Sequence, residues 1–361
     1  MRLKLRHILF ILGVILLTQC KKEPYVNITD NHFLNALIRS GVDINGDGKI
    51  SPEEAQAITT LDVSQDTISN LTGIEMFVNL HTLYCRGNRL TALDISHNSD
   101  LTLLDCYGNF LNTLDLSSNS KLESIDCGSN WLTNLDVLSN TLLKVIKCSY
   151  NELTTLDVSA NIALEDLRCS HNQLTIVDVS NNTVLQFLYC NDNQLTALDL
   201  SNNVNLQNLD CGRNGLTNLN LSNSTSLNEL FCSSNQLTSL DLSDNLSLVT
   251  LYCSDNNITS LGISYNSELY NLFCYNNYLS SLDVTGNTKL AMLWCGNNQL
   301  AVLDISNNTS LGVSKVAYPL KLDQMPTLYE VCVWTLPFPP DFFDVDTTDS
   351  PNVYFSTECS K

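Results

Sequence analysis

The sequence predicts a solenoid of stacked parallel β coils, and three observations carry that expectation. Eleven cysteines recur every 21 residues: Cys85, Cys106, Cys127, Cys148, Cys169, Cys190, Cys211, Cys232, Cys253, Cys274 and Cys295. Asparagines keep the same interval three residues later, from Asn88 to Asn298. Within a unit the pattern returns after ten residues, so that Leu80, Leu83, Cys85 and Asn88 are echoed by Leu90, Leu93, Ile95 and Asn98. An unbroken period of this size marks a superhelix whose units bury their apolar faces only against one another.

Residues two apart in a strand share a face. Leu83 and Cys85 therefore point one way, as do Leu93 and Ile95 on the return side. The expected solution is a flattened, right-handed coil with a short strand on each long side, a narrow shared core and coils about 4.8 Å apart. Both ends then need caps. The asparagine column stands where the chain turns out of the strand, and an amide can satisfy backbone groups in its own turn and in the next coil.

The unit L-x-x-L-x-C-x-x-N-x-L resembles the leucine-rich-repeat consensus, with cysteine where leucine often stands. Its nested 21-residue form is similar to the bacterial class called IRREKO repeats. The resemblance covers about two thirds of the chain. It implies a leucine-rich-repeat solenoid used to bind proteins or other large ligands.

The ends read differently from the middle. Residues 1–19 have the shape of a signal peptide, with basic Arg2, Lys4 and Arg6 before an apolar run from Ile8 to Leu17. "LTQC" resembles the lipobox of bacterial lipoproteins, with Gln19 departing from the usual small residue, which implies acylation at Cys20 and outer-membrane anchoring. Residues 20–29 are then a lipid-anchored linker, 30–60 a helical cap, 61–79 an atypical first coil, 80–310 the eleven repeats and 311–361 a β C-terminal cap. In the helical cap, Phe33, Leu34, Leu37 and Ile38 fall at helical spacing before Gly41. "DINGDGKISPEE" follows and resembles an EF-hand loop: Asp43, Asn45 and Asp47 offer short oxygen ligands, Lys49 a carbonyl, Ser51 a water-mediated contact and Glu54 a bidentate carboxylate. One calcium ion, acting as a staple, is the cofactor expected. Dockerins carry two such loops; only one is found here. "SPEE" also opens a helix through a capping box.

The formal charge of −20 disfavours nucleic acid, and membrane contact is expected through the lipid alone. No C-x-x-C pair is present for zinc. Side chains pointing in parallel cannot adopt a disulfide torsion, so the ladder should be buried free thiols. Cys332 and Cys359, outside the ladder, form a candidate disulfide stapling the C-terminal cap. "LYEVCVW" places Val331 and Val333 on one face and Cys332 on the other, and a last strand is expected to end at Cys359.

No hydrolase, zinc-protease or phosphate-loop motif occurs, and an enzyme is not expected. The residue before each ladder cysteine should face outward, and this column ends in Phe231, Tyr252, Phe273 and Trp294. With Tyr189, and with Phe187 and Tyr275 beside them, they form a candidate ligand face for a protein or a glycan at the cell envelope. The same rings suit stacking along the sheet, which leaves a calcium-stabilised adhesion or architectural role as the alternative. The aspartates Asp94, Asp115, Asp136, Asp157, Asp178, Asp199, Asp241, Asp283 and Asp304 line the opposite side, where local donors should hold them. A monomer is expected.

Overall fold

A computed structural model describes residues 25–313, 318–340 and 343–358. The signal segment, Cys20 and Cys359 lie outside the described residues. Fourteen parallel strands form one long sheet, in chain order from Thr60–Asp62 and Thr82–Tyr84 to Met292–Trp294, Leu320–Lys321 and Val345–Asp346. Register never slips, for the middle leucine of one strand lies beside that of the next, as Leu83↔Leu104 and Leu272↔Leu293 show. From Leu61 to Leu320 these middle residues, and all eleven ladder cysteines, are at most 1 % exposed, so the core is one continuous column.

The strand expected on the second long side is mostly missing. Among the described residues it pairs only at Leu240–Asp241 with Leu261–Gly262, and in a three-stranded sheet of Val302–Asp304, Glu330–Cys332 and Tyr354–Ser356. In paired and unpaired coils alike, each carboxylate of the aspartate column takes an amide two residues on, as Asp157 Oδ1 does from Ser159 N at 2.9 Å. The hydroxyls and amides of Ser159 and Ser180 hold Asp157 and Asp178 below the usual carboxylate range.

Two columns of asparagine stitch the coils together. In the first, Asn172 Nδ2 donates to Cys148 O and Cys169 O at 3.1 and 3.0 Å, while Asn172 Oδ1 accepts from Leu153 N at 3.0 Å. The reach expected into the next coil runs instead into the preceding one. In the second, Asn182 Nδ2 donates to Val158 O and Asn161 O at 3.1 and 2.8 Å. The turn held by the first column puts the second residue after each cysteine in the left-handed region, even at Tyr150 (φ 59°), His171 (53°) and Arg213 (51°).

At the N-terminal end α1 (Asn31–Arg39) buries Phe33, Ala36 and Leu37, and α2 (Pro52–Gln56) opens with the expected capping box between Ser51 and Glu54. Residues 25–29, read as linker, pack into this cap: Val26 N donates to Ile50 O at 2.8 Å, and a Cβ on Gly73 would meet Ile28 Cγ1 at 2.9 Å. At the other end Val331, Cys332 and Val333 are all buried, so both faces of the strand Glu330–Cys332 are covered. The last strand stops at Ser356 rather than continuing to Cys359.

Candidate functional site

The outward column lies in register on the long sheet, and its rings meet. Phe231 and Tyr252 stack with centroids 4.9 Å apart, Tyr252 and Phe273 at 4.1 Å, and Trp294 meets Phe273 edge-on at 4.7 Å. Parallel strands bring equivalent side chains within ring-stacking distance, so the ridge follows from the repeat itself. Lys321 Nζ sits 4.2 Å above the Trp294 ring, and Trp294 Nε1 donates to Tyr318 O at 2.8 Å.

Not every ring in the column is presented to solvent. Phe273 is 2 % exposed, since Tyr252 covers one side and Trp294 the other. This corrects its reading as a ligand contact; it is a spacer within the ridge. Phe231, Tyr252, Trp294 and Tyr275 remain half-buried. Tyr189 stands apart, two strands from Phe231, with the Arg168 guanidinium 4.8 Å over its ring and Phe187 half-buried beside it. Two hollows flank the ridge. One of about 350 Å³ is lined by Tyr275, Trp294, Lys321 and Asp323, the other of about 230 Å³ by Asp192, Asp210, Phe231 and Tyr252.

Sequence reasoning missed a second line of side chains along the left-handed turns. Tyr150 and His171 stack at 4.2 Å, His171 Nε2 lies 3.4 Å from Asp192 Oδ2, and Arg213 Nε lies 3.8 Å from Asp192 Oδ1. The signal was available: all four occupy the second position after a cysteine.

The loop of residues 43–54 closes on its own amides. Asp43 Oδ1 accepts from Gly46 N and Oδ2 from Gly48 N at 2.8 and 2.9 Å, Asn45 Oδ1 from Asp47 N at 2.8 Å, and Asp47 Oδ1 from Lys49 N at 2.9 Å. Gly46 and Gly48 supply the left-handed bends, at φ 72° and 79°. This donor set and backbone course suit a hard cation such as calcium. Glu54, however, accepts at Oε2 from Ser51 N and at Oε1 from Ile44 N and Asn45 N, and the Ser51 amide does most to hold its carboxyl below the usual range. Among the described residues no three His, Cys, Asp or Glu side chains gather as a metal site.

The ladder thiols are free and buried. Burial pushes Cys169, Cys253 and Cys295 up to about 12 and raises the others too, so thiolate is suppressed along the whole column. Cys332 is disulfide-bonded.

One long parallel sheet, asparagine stitching and a buried thiol column define a leucine-rich-repeat solenoid. The chain belongs to that family, and is similar to the functional domain of InlJ from Listeria monocytogenes, which likewise includes a cysteine ladder. Identity is 32 %, with a TM-score of 0.73, over 86 % of this chain and 77 % of that one. A leucine-rich-repeat protein of Leptospira interrogans matches at 26 % identity and TM-score 0.64, over 74 % and 70 % of the two chains. An internalin of L. monocytogenes shares the fold at 23 % identity and TM-score 0.66, over 78 % and 93 %. The LVIVD repeat family matches residues 169–190 and 295–316, about one coil each. No curated protein sequence matches the chain. Among the described residues no helix is long and apolar enough to cross a membrane.

Proposed function

We propose that the chain is a non-enzymatic protein of the cell envelope that binds a protein partner through the ridge from Phe231 to Trp294. The observation that carries this reading is four rings in consecutive coils on the outer face of the long sheet, flanked by two hollows. Such rings dominate protein interfaces. Their geometry favours a protein over a glycan. The ring faces are taken up by neighbouring rings and by Lys321, so a sugar finds few faces to stack on, whereas exposed edges beside hollows suit protein side chains.

The same stacking supports a second reading, in which the ladder is architectural. Replacing Phe231, Tyr252 and Trp294 by serine together separates the two, with Phe273 left in place because it is buried. Full-length protein coupled to beads should retain a discrete protein from envelope or target-cell extracts, and the triple variant should retain at least about tenfold less. A lowered melting temperature with unchanged capture would make the ladder architectural.

Export and anchoring rest on the basic leader, its apolar run and Cys20. A lipid there would hold the protein at the outer membrane with no spanning helix. The C-terminal staple rests on Cys332, which lies opposite Ser356, three residues short of Cys359. One mass-spectrometric experiment checks the cysteines. After alkylation of the native protein the eleven ladder thiols should be unmodified, Cys332 should be linked to Cys359, and the mature chain should begin with acylated Cys20. Alkylated Cys190, or a reduced Cys332, would contradict the corresponding assignment. Calcium, held by Asp43, Asn45, Asp47, the Lys49 carbonyl and Glu54, with Ser51 through water, would staple the N-terminal cap.

A further inference from the structure

The second asparagine column has one exception. From Asn98 to Asn308 every coil places an asparagine there except the coil of Cys211, which has Ser224. One coil before, Asn203 Nδ2 donates to Val179 O and Asn182 O at 3.1 and 3.0 Å; one coil after, Asn245 Nδ2 donates to Leu221 O and Ser224 O at 3.1 and 2.8 Å. A serine hydroxyl is shorter than an amide, and Ser224 Oγ, fully buried, meets no hydrogen-bonding partner among the described residues. Leu200 O and Asn203 O, the carbonyls an asparagine at 224 would hold, keep the amides of their own coil, Asn203 N and Leu206 N, and gain no second-column bond from the coil that follows.

The sheet side of the same junction is complete. Phe187–Tyr189 pairs in full with Asn208–Asp210, Cys190 N donates to Asp210 O at 2.8 Å, and Asn214 of the first column holds Cys190 O at 3.1 Å and Leu195 N at 2.9 Å. On the return side the two coils are tied at the surface, where exposed Asn223 Nδ2 donates to Ser201 O at 2.8 Å. One bond that water can replace stands in for two buried ones, so the junction is strong on one side and weak on the other. Past Ser224 the return side is bound again, by Asn245 and by the pairing of Leu240–Asp241 with Leu261–Gly262. The coils that carry the ridge are therefore stitched on both sides.

We propose that this junction is a hinge: the return side opens between the coils of Cys190 and Cys211 while the long sheet stays paired, which tilts the ridge-bearing half against the half that carries Arg168 and Tyr189. In a stack whose coils touch only their neighbours, such an opening requires no change elsewhere. The hinge stands whether or not the ridge binds a partner.

The test is residue-resolved amide exchange on the full-length protein. In the parent, Asn203 N and Leu206 N should be about tenfold less protected than their equivalents one coil back, Asn182 N and Leu185 N, while Cys190 N stays as protected as Cys169 N. Ser224→Asn should bring Asn203 and Leu206 up to the level of Asn182 and Leu185. Asn182→Ser should install a second hinge, lowering protection at Asn161 N and Leu164 N about tenfold and leaving Cys148 N unchanged. Equal protection of the two coils in the parent, or a folded Ser224→Asn that raises neither amide, would overturn the hinge. So would loss of protection at Cys190 together with Asn203, since the coils would then part on both sides. Should Ser224→Asn fail to fold, Asn182→Ser decides: loss at Asn161 and Leu164 with Cys148 protected supports the hinge, and no loss, or a loss that includes Cys148, overturns it.

Discussion

Asn172→Ala should destabilise the solenoid by about 2 kcal/mol, because it strands the buried Leu153 N and takes one of two asparagine donors from Cys148 O and from Cys169 O. The side chain is 9 % exposed and bonds Cys148 O, Cys169 O and Leu153 N, which belong to two coils. Alanine fills none of these roles, and water has little access to the turn. The position is central in a stack where each coil contacts only its neighbours, so the loss weakens interfaces on both sides. Urea denaturation should show a lower midpoint, and amide exchange should rise first between residues 148 and 193. The neighbouring Gln173→Ala, on an exposed residue, should stay within about 0.5 kcal/mol. Equal effects for the two would mean that the ladder is not what joins the coils.

The first asparagine column was legible because one residue type recurred at a turn, and a turn with unpaired carbonyls has a known remedy. The cysteine ladder was legible on similar grounds, since torsional geometry excludes disulfides between parallel side chains. What the period could not show was how far strand pairing extends. Alternation at Leu93 and Ile95 gives the same face pattern whether the segment pairs or runs free, and the turn that follows is the same at unpaired Asp94 and at paired Asp241. Phe273 illustrates a further limit. A column of outward residues says where each Cβ points, whereas exposure depends on ring size and on the angle at which Trp294 meets its neighbour. The Tyr150, His171, Asp192 and Arg213 line required knowing that the left-handed turn places those side chains side by side.

The second large effect is expected at the N-terminal end of the stack, where Asp30 joins the cap to the first coil. Its Oδ1 accepts from His32 N and Phe33 N as the N-cap of α1, and its Oδ2 accepts from Ser69 N, Ser69 Oγ and Asn70 N. Burial raises its pKa, yet the Ser69 hydroxyl and the amides of Ser69, Phe33 and His32 together bring it below the usual range. Asp30→Ala should cost about 2–3 kcal/mol, combining a lost helix cap with unpaired groups at the coil. That loss should be local. In a nearest-neighbour stack an end unit can open alone, so exchange should quicken through the cap and the strand Thr82–Tyr84 while the centre keeps its protection. Chelating calcium should act on the same end: if the 43–54 loop holds the ion, EDTA should quicken exchange over these residues and lower the first melting step, and should add little to Asp30→Ala. An identical exchange profile with and without EDTA would remove calcium from the cap. Loss of protection at the central strands Asp166–Arg168 and Phe187–Tyr189 in Asp30→Ala would show that the stack opens as one unit rather than from its ends.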